Sequence, residues 1–316
     1  MDKKSKIKAD VIFSNNFDLS TYESVIRNSV CAVIDTLMAV STITAIFGSN
    51  CKRLILAREK YEAYLLKEIL KDYLLVGEEN GIPPEGFDYG NRPLNFVNID
   101  LSNKKIILST TNGSVSFFKL LGSEAVFAIS LLNLDYSLNV ILNLAQSNEK
   151  NILFLCSGRK GFTTYDDVYT AGLAIKNLNK LADLELSDSA KVALESASFN
   201  NGSILDAISN SESGDIVKRL GYLDDLIYCA NINEFNTTPR LVVLELNNKK
   251  DFHESTDLKD FYNVLLKSGK KYPYEALLLL EPFNNIVKTR KEGKRTGLKY
   301  YKSKGFFKYE KKVRTY

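Results

Sequence analysis

The chain is organised around residues 74–93, which read Leu74-Leu-Val-Gly-Glu-Glu-Asn-Gly-Ile-Pro-Pro-Glu-Gly-Phe-Asp-Tyr-Gly-Asn-Arg-Pro93. A short apolar run at residues 73–76 stops at Gly77, and the residues after it have neither a helical nor a strand period. Glycines and adjacent prolines at this density predict a long loop of fixed backbone shape. Loops of this length in compact domains are usually functional, and the alternative is an ordered surface loop whose carboxylates are merely solvated.

The composition provides enough apolar residues for one large α/β domain or two smaller ones. The 316 residues are 45% hydrophobic and include no tryptophan. No run of about 18 apolar residues occurs, and the charged N-terminus lacks the apolar segment of a signal peptide. We therefore expect a cytoplasmic protein with no membrane partner.

The cysteine and histidine content argues against several kinds of site. The four cysteines stand far apart without a C-x-x-C pair, so we expect reduced, structural thiols. The single histidine, His253, lies in a charged segment, which argues against a histidine metal site or a Ser-His-Asp triad. Cys156 and Arg159 are separated by two residues, too few for the phosphate cradle of cysteine phosphatases. No G-x-x-x-x-G-K-[ST] phosphate loop occurs either.

The net charge of +4 is unevenly distributed. Residues 288–316 contain twelve Lys or Arg against two Glu, so this basic tail carries +10 and the rest of the chain about −6. Lysines alternate with tyrosine and phenylalanine in the basic tail, a pattern that suits a nucleic acid or another acidic surface as partner. A disordered solubilising tail has the same composition.

Short apolar runs alternate with amphipathic stretches, which predicts a largely parallel α/β sheet. Strands are expected at residues 9–13, 30–35, 51–57, 73–76, 105–109, 125–130, 151–156 and 241–246. Residues 251–282 are expected to add two short elements, the second being the apolar run at 276–280. Helices are expected at 41–47, 58–71, 113–121, 134–144 and from about 164, and residues 181–230 are expected to be all-helical. Because Pro239 precedes it, the 241–246 strand is expected at a sheet edge.

Polar residues recur where the predicted strands end. Asp35, Glu78, Thr110-Thr111-Asn112 and Ser157-Gly158-Arg159 follow four different strands. Ligands of open α/β sheets bind outside the carboxyl ends of the strands. One such coincidence is weak evidence, whereas four together predict a single convergent site.

The residue types at these strand ends suit a phosphate and a hard metal ion. Candidate helix starts at Ser41-Thr42 and at Thr111-Asn112-Gly113 offer free backbone N–H groups to an anion. Asp35, Glu78, Asp166 and Asp167 supply hard oxygens that suit Mg²⁺, and carboxylates need a cation if a phosphate is to bind beside them. The alternatives are ordinary N-capping for the hydroxyls and helix-dipole compensation for Asp166-Asp167.

Eight segments of the chain form a recognisable set. They are Ala32-Val-Ile-Asp-Thr-Leu-Met-Ala-Val-Ser-Thr-Ile43, Gly77-Glu-Glu-Asn-Gly81, Pro84-Glu-Gly-Phe-Asp-Tyr-Gly-Asn-Arg-Pro93, Ser109-Thr-Thr-Asn-Gly-Ser114, Ser130-Leu-Leu-Asn133, residues 158–172 with Asp166-Asp167, Leu186-Ser-Asp188 and Leu220-Gly-Tyr-Leu-Asp-Asp-Leu-Ile-Tyr-Cys229. In order and spacing this set resembles the 2-phosphosulfolactate phosphatase (ComB) family over roughly residues 8–245. The combination of E-G-F-D-x-G-N-x-P with T-T-N-G makes the resemblance specific.

The resemblance implies a fold and an activity. The fold is a three-layer α/β/α architecture with a mainly parallel mixed sheet in residues 1–250, followed by an extension at 251–287 and the basic tail. The activity is Mg²⁺-dependent hydrolysis of 2-phospho-3-sulfolactate, a step of coenzyme M biosynthesis in methanogens, or of a related 2-phosphohydroxy acid. The implied partner is a small anionic phosphate ester, and we also expect a homo-oligomer.

Residue types and the resemblance together assign roles to the candidate site. Asp35, Glu78 and Asp167 are assigned to catalysis, and Asp35, Glu78, Asp166 and Asp167 are assigned to Mg²⁺. The substrate-binding set is Ser41, Thr42, Thr110, Thr111, Asn112, Gly113 and Arg159. The nucleophile is either water activated by the metal or a carboxylate that forms an acyl phosphate.

Two positions depart from the family pattern. Met38 and Glu79 stand where the family commonly carries arginine. A substrate with phosphate, carboxylate and sulfonate groups needs cations, and each charge-assisted contact is worth about 1.5–3 kcal/mol. The loss of two would weaken binding or change the preferred substrate, unless Arg92 and Arg159 compensate. The alternative function is therefore a family member that has lost catalysis and binds a ligand or partner.

Overall fold

The computed structural model describes residues 6–199, 203–245 and 276–283. In these ranges the strands are β1 Ile7–Ile12, β2 Ser29–Ile34, β3 Leu54–Ala57, β4 Leu74–Gly77, β5 Tyr89–Gly90, β6 Ile106–Ser109, β7 Ala125–Ile129, β8 Asn151–Cys156, β9 Leu184–Leu186, β10 Pro239–Glu245 and β11 Ala276–Pro282. The α-helices are α1 Leu19–Arg27, α2 Ala39–Gly48, α3 Lys60–Ile69, α4 Gly113–Lys119, α5 Leu134–Asn148, α6 Tyr165–Leu181, α7 Asp188–Phe199, α8 Ile204–Ser209, α9 Glu212–Arg219 and α10 Leu223–Cys229. Short 3₁₀ turns lie at Pro93–Asn95 and Leu131–Asn133.

The strands form a mainly parallel mixed sheet in the order β5-β4-β6-β3-β11-β10-β7-β2-β8-β1-β9. Antiparallel pairing is found where β10 and β11 meet each other and their neighbours β7 and β3. Helices cover both faces of this sheet, so the predicted three-layer α/β/α fold is confirmed. Within the described ranges, no helix combines the length and hydrophobicity that crossing a membrane requires.

The sheet curves around α2 and α4, which fill its inner face. Ile43 of α2 and Phe117 of α4 are fully buried in one core with Val33 of β2 and Leu108 of β6, although those strands are far apart in the sheet order. Strands β7 and β10 pair where Arg240 faces Phe127, and the two halves of the sheet meet there. The curvature brings the carboxyl ends of β4 and β6 towards those of β2 and β8.

The outer face is covered by two separate groups of helices. Helix α3 packs Ala63 and Leu66 against the half that contains β3, β4 and β6. Helices α5, α6 and α7 pack against the half that contains β2, β7 and β8, where Phe127 and Phe154 are fully buried. All strand ends that carry the candidate site residues are therefore supported from both faces.

Two expectations about individual strands were wrong. The 241–246 strand is not at an edge, because β10 lies between β11 and β7 in the middle of the sheet. Pro239 is the first residue of β10, where a missing N–H is tolerated. Residues 181–230 are not all-helical either, since Leu184–Leu186 pairs in parallel with β1 as an edge strand.

The apolar run at 276–280 forms strand β11, which lies in the sheet interior. It pairs with β3 on one side and β10 on the other. Its side chains alternate, with Leu278 and Leu280 in the inner core and Leu277 and Leu279 in the outer core, and all four are at most 1% exposed. Residues of the predicted C-terminal extension thus supply part of both cores. The basic tail at 288–316 lies outside the described residues.

We expect two C-terminal truncations to separate the basic tail from β11. Deleting residues 288–316 should leave the melting temperature nearly unchanged, as the charged composition of that segment predicts. Deleting residues 246–316 also removes four buried leucines, each worth about 1.5–3 kcal/mol, a loss comparable to the whole stability of a typical domain. The shorter chain should be insoluble or melt far lower in calorimetry. Equal melting temperatures for the two truncations would show that β11 does not stabilise the sheet.

Candidate active site

Asp167, in the first turn of α6, joins the connections that follow β2 and β8. Its Oδ1 accepts the Thr36 backbone N–H at 2.8 Å, and its Oδ2 accepts the Gly158 N–H at 2.9 Å. The carboxylate is 2% exposed. Both oxygens therefore hold two loops together, because charge-assisted bonds to backbone amides are strong in a buried setting.

Glu78 plays the same part at the ends of β4 and β6. Its Oε1 accepts the Thr111 backbone N–H at 2.7 Å, while its Oε2 accepts the Thr111 hydroxyl at 3.0 Å and the Gly81 N–H at 2.7 Å. The predicted loop at residues 74–93 is thus anchored through its first carboxylate. Thr111 is fixed by Glu78 and lines the cleft beside it.

The two halves of the site meet at Asn112 and Gly113. Asn112 Oδ1 accepts the Lys160 backbone N–H at 3.0 Å, which connects the β6 and β8 loops. Gly113 lies so close to Asp35 that a Cβ placed on it would fall 2.8 Å from Asp35 Oδ2 and 2.5 Å from the Ala39 Cβ. This close approach needs glycine, and it explains the role of the last residue in T-T-N-G.

Asp35 and Asp166 are two further buried carboxylates of the cleft. Asp35 follows β2, is 8% exposed and accepts the Ala39 backbone N–H at Oδ1, at 2.9 Å. Asp166 is 1% exposed, and its Oδ1 has no hydrogen-bond partner among the described residues. Both line the same cleft. A buried acceptor without a protein partner is able to bind a metal ion, a water molecule or a ligand.

The electrostatics of the cleft raise the pKa of its buried carboxyl groups. Burial, together with the nearby carboxylates of Asp166 and Glu78, raises the pKa of Asp35 to about 7. Burial raises the pKa of Asp166 to about 6. Burial and the charges of Asp166 and Asp35 hold the pKa of Asp167 well above its ordinary value. These groups would be stabilised in their charged form by a cation between them.

The lining contains few basic groups. Arg159 lines the cleft, but its Nη1 forms an ion pair with Glu212 at 3.0 Å. Lys160 also lines it, and its ammonium makes no hydrogen bond or ion pair with the described residues. The Lys160 backbone has a φ of +50°, an unusual conformation for a residue with a side chain.

Neither of the two departures from the family pattern is compensated by Arg92. Arg92 lies outside the cleft lining and binds the buried Asp225, with Nε 2.7 Å from Oδ2. Glu79 points to α3, where it pairs with Lys60 at 2.6 Å. Met38 is 8% exposed and forms part of the cleft wall. Of the two arginines considered from the sequence, Arg159 is the one that reaches the cleft.

Several predicted phosphate ligands lie behind the cleft rather than along it. Ser41 and Thr42 are fully buried, because α2 starts at Ala39 and places them within its first turn. The Ser41 hydroxyl donates to the Thr36 carbonyl at 2.8 Å, and Thr42 Oγ1 is buried without a partner. Thr110 Oγ1 accepts the Ser114 N–H at 2.9 Å, as a helix cap would. Thr111, Asn112 and Arg159 are the members of the predicted substrate set that line the cleft.

The residues present fit Mg²⁺ in part. Among the described residues, no three His, Cys, Asp or Glu side chains are placed to share one ion. Mg²⁺ is commonly held by one or two carboxylates, with water and substrate phosphate completing its shell. The unpartnered Oδ1 of Asp166 and the neighbouring Asp35 provide such a pair, whereas Asp167 and Glu78 already bind backbone amides.

The structure adds lining residues that the sequence did not reveal. Asn91 is 7% exposed and its Oδ1 has no partner among the described residues. It belongs to the G-N-x-P part of the motif, which could have indicated it. Ser213, Ile216 and Val217 of α9 form the opposite wall. No local signal distinguishes α9 from any other amphipathic helix.

Comparison with known proteins shows the family to which the chain belongs. The sequence profile described as 2-phosphosulpholactate phosphatase matches residues 18–243. A protein of Caldanaerobacter subterraneus subsp. tengcongensis named "Probable 2-phosphosulfolactate phosphatase" is 30% identical over 238 residues, which are 73% of this chain and 97% of the relative. Proteins with the same name from Clostridium perfringens and Deinococcus radiodurans are 32% and 29% identical, over 72% and 67% of this chain and 90% and 88% of the relatives.

Together, these findings give the enzyme class and the family of the chain. The α/β/α fold, the cleft at the carboxyl ends of the strands and the names of the relatives define a phosphoric monoester hydrolase. Within that class, the chain belongs to the 2-phosphosulpholactate phosphatase family.

Gly113→Ala should disturb the site without removing a polar group. The new Cβ would meet the Ala39 Cβ and Asp35 Oδ2 at under 3 Å, so α4 must move away from Asp35. We expect a stability loss of about 1–3 kcal/mol and at least a tenfold loss of phosphatase activity. Gly90→Ala is the matched control, since its Cβ meets nothing closer than 3.8 Å. Equal activity in both variants would contradict this role for Gly113.

Metal-free protein should become less stable as the pH rises from about 4 to about 7. The folded-state pKa values of Asp35 and Asp166, about 7 and about 6, lie above their ordinary value of 3.8. The folded state therefore holds protons that the unfolded chain releases in this window, and stability falls with pH. We expect melting temperatures measured in EDTA to fall by about 2–4 °C per kcal/mol lost.

The variant Asp166→Asn should flatten this pH dependence, whereas the exposed Glu195→Gln should not. The measurement is the melting temperature of the three proteins between pH 4 and 8. If the melting temperatures of the wild type and of Asp166→Asn change with pH in parallel, the ionisation of Asp166 does not destabilise the folded protein.

Proposed function

We propose that the protein is a Mg²⁺-dependent phosphatase that hydrolyses 2-phospho-3-sulfolactate or a related 2-phosphohydroxy acid to the hydroxy acid and phosphate. The observation that carries the proposal is the pair of buried carboxylates Asp35 and Asp166 in one cleft, the second with an unpartnered oxygen. The relatives' names support the same substrate class. Asp35 and Asp166 would hold the ion, which would supply charge neutralisation and Lewis-acid polarisation of a phosphate oxygen.

The chain's own groups would orient the ester. Thr111 and Asn112 line the cleft beside the carboxylates and are fixed by Glu78 and by the Lys160 backbone. Among the described residues that line the cleft, Lys160 is the cation whose ammonium is left to pair with an acid group of the substrate. In the overall reaction water adds to phosphorus, the ester P–O bond breaks, and the departing alcohol oxygen takes up a proton.

The carboxylates assigned to catalysis from the sequence would act in two ways. Asp35 would lie next to the reacting phosphate. Asp167 and Glu78 would act as positioning residues, because their oxygens hold the amides of the surrounding loops. Replacing either by its amide would put an N–H where a backbone N–H now donates.

The test is phosphate release from phosphosulfolactate and from phospholactate, with and without EDTA. We expect release that EDTA abolishes and Mg²⁺ restores, and at least a hundredfold loss in Asp166→Asn, with Glu195→Gln unchanged. Titration calorimetry with Mg²⁺ gives a second readout, since Asp166→Asn should bind the ion more weakly. Release that chelation does not affect would refute the metal assignment. No release from any 2-phosphohydroxy acid would favour a binding module that has lost catalysis.

A further inference from the structure

One side of the cleft is apolar and is called here the apolar wall. It is formed by Leu37, Met38 and Ala39 before and at the start of α2, and by Ile216, Val217 and Leu220 in and after α9. Leu37, Ile216 and Leu220 are half-buried, so their side chains retain exposed surface in the cleft. Exposed apolar surface inside a binding cleft favours an apolar part of the ligand.

The other side of the cleft is strongly acidic. Four carboxylates line it, at Asp35, Glu78, Asp166 and Asp167. Of the two lining cations, Arg159 is paired with Glu212, which leaves Lys160. With all four carboxylates ionised, a divalent ion and Lys160 would supply three positive charges against four negative ones. Within the part of the chain that the structure describes, the cleft lining therefore offers no further cation to a third acid group on the substrate.

On these two sides of the cleft a sulfonate would lie against the apolar wall or among the carboxylates. Against the wall it would lose hydration, and the hydroxyl that α9 contributes to the lining, Ser213, is already hydrogen-bonded to Asp166. Among the carboxylates it would meet like charges. An alkyl group in the same position would instead bury apolar surface against Ile216 and Met38.

We propose that the preferred substrate is the phosphate monoester of a 2-hydroxy acid whose third substituent is a small alkyl group rather than a sulfonate. This inference rests on the proposed phosphatase function and narrows its substrate class. Lys160 pairs with the carboxylate of such a substrate, and the apolar wall takes the alkyl group.

The experiment compares kcat/KM for phosphosulfolactate with a linear series, the 2-phosphate esters of lactate, 2-hydroxybutyrate and 2-hydroxyvalerate. We expect kcat/KM to rise about three- to fourfold for each added CH₂ until the wall is covered. Phosphosulfolactate should be at least tenfold worse than phospholactate. A flat alkyl series, or a preference for phosphosulfolactate, would overturn the proposal and leave the phosphatase function intact.

Two variants place a cation on the apolar wall. Ile216→Lys and Met38→Arg should each raise kcat/KM for phosphosulfolactate by tenfold or more and lower it for the 2-hydroxyvalerate ester. Val192→Lys is the matched control, since Val192 is 56% exposed on α7 and does not line the cleft. Circular dichroism establishes that each variant is folded. Equal effects on both substrates in a folded variant would contradict a role for the wall in selecting the substituent.

A binding measurement separates this proposal from the proposed function. Titration calorimetry with 2-hydroxyvalerate and with sulfolactate, each in the presence of phosphate, does not depend on turnover. Tighter binding of 2-hydroxyvalerate by a protein that hydrolyses no ester would support the proposed role of the apolar wall. The same result would overturn the phosphatase function. Tighter binding of sulfolactate, or binding of neither acid, would refute the proposed role of the apolar wall in selecting an alkyl substituent.

Discussion

The site depends on carboxylates that accept backbone N–H groups from loops distant in sequence. Asp167 holds Thr36 and Gly158 in place, and Glu78 holds Thr111 and Gly81. Loops after parallel strands have no sheet partners for these amides, so an unpaired N–H would be costly where it is buried. A carboxylate satisfies two amides at once and fixes their separation. The hydrogen bonds that give the cleft its shape are therefore the same ones that hold the loops of the fold together.

The sequence predicts the strands and the residues at their ends because both signals are local. Apolar runs give β2, β6 and β8, and the polar residue after each run marks the edge of the sheet where ligands bind. The position of β10 cannot be read in this way, because its neighbour β11 is distant along the chain and has no signal for where it pairs. Likewise, placing the start of α2 at Ser41 instead of Ala39 suggested that the hydroxyls of Ser41 and Thr42 face an anion, whereas the structure buries them. A shift of two residues along a helix changes which side chains point to the site.

Two turns beside the cleft have similar geometry, but the sequence pattern predicts one of them more clearly than the other. Asn80-Gly81 and Lys160-Gly161 both have positive φ values, 57° and 86° in the first turn and 50° and 87° in the second. Each closes a short bridge, Glu79 with Ile82 and Arg159 with Phe162. Asn-Gly is a strong turn signal, whereas Lys-Gly is not, because lysine rarely adopts this backbone. In the second turn the Lys160 N–H bonds to Asn112, a contact between distant residues that no local pattern contains.

The apolar wall and the perturbed carboxylates have a common physical basis. Met38 lies close in sequence to Asp35 in the same cleft, and burial is the largest cause of the raised pKa of Asp35. An apolar wall strengthens every electrostatic interaction beside it, since water is displaced and the local dielectric falls. The same surface that disfavours a sulfonate thus makes the carboxylates harder to ionise and increases their attraction for a cation. A cation placed at position 38 would change both properties together, because it would pair with an anionic substituent and would also lower the pKa of Asp35. A charged substitution at Met38 is therefore expected to change substrate preference and the pH range of activity together.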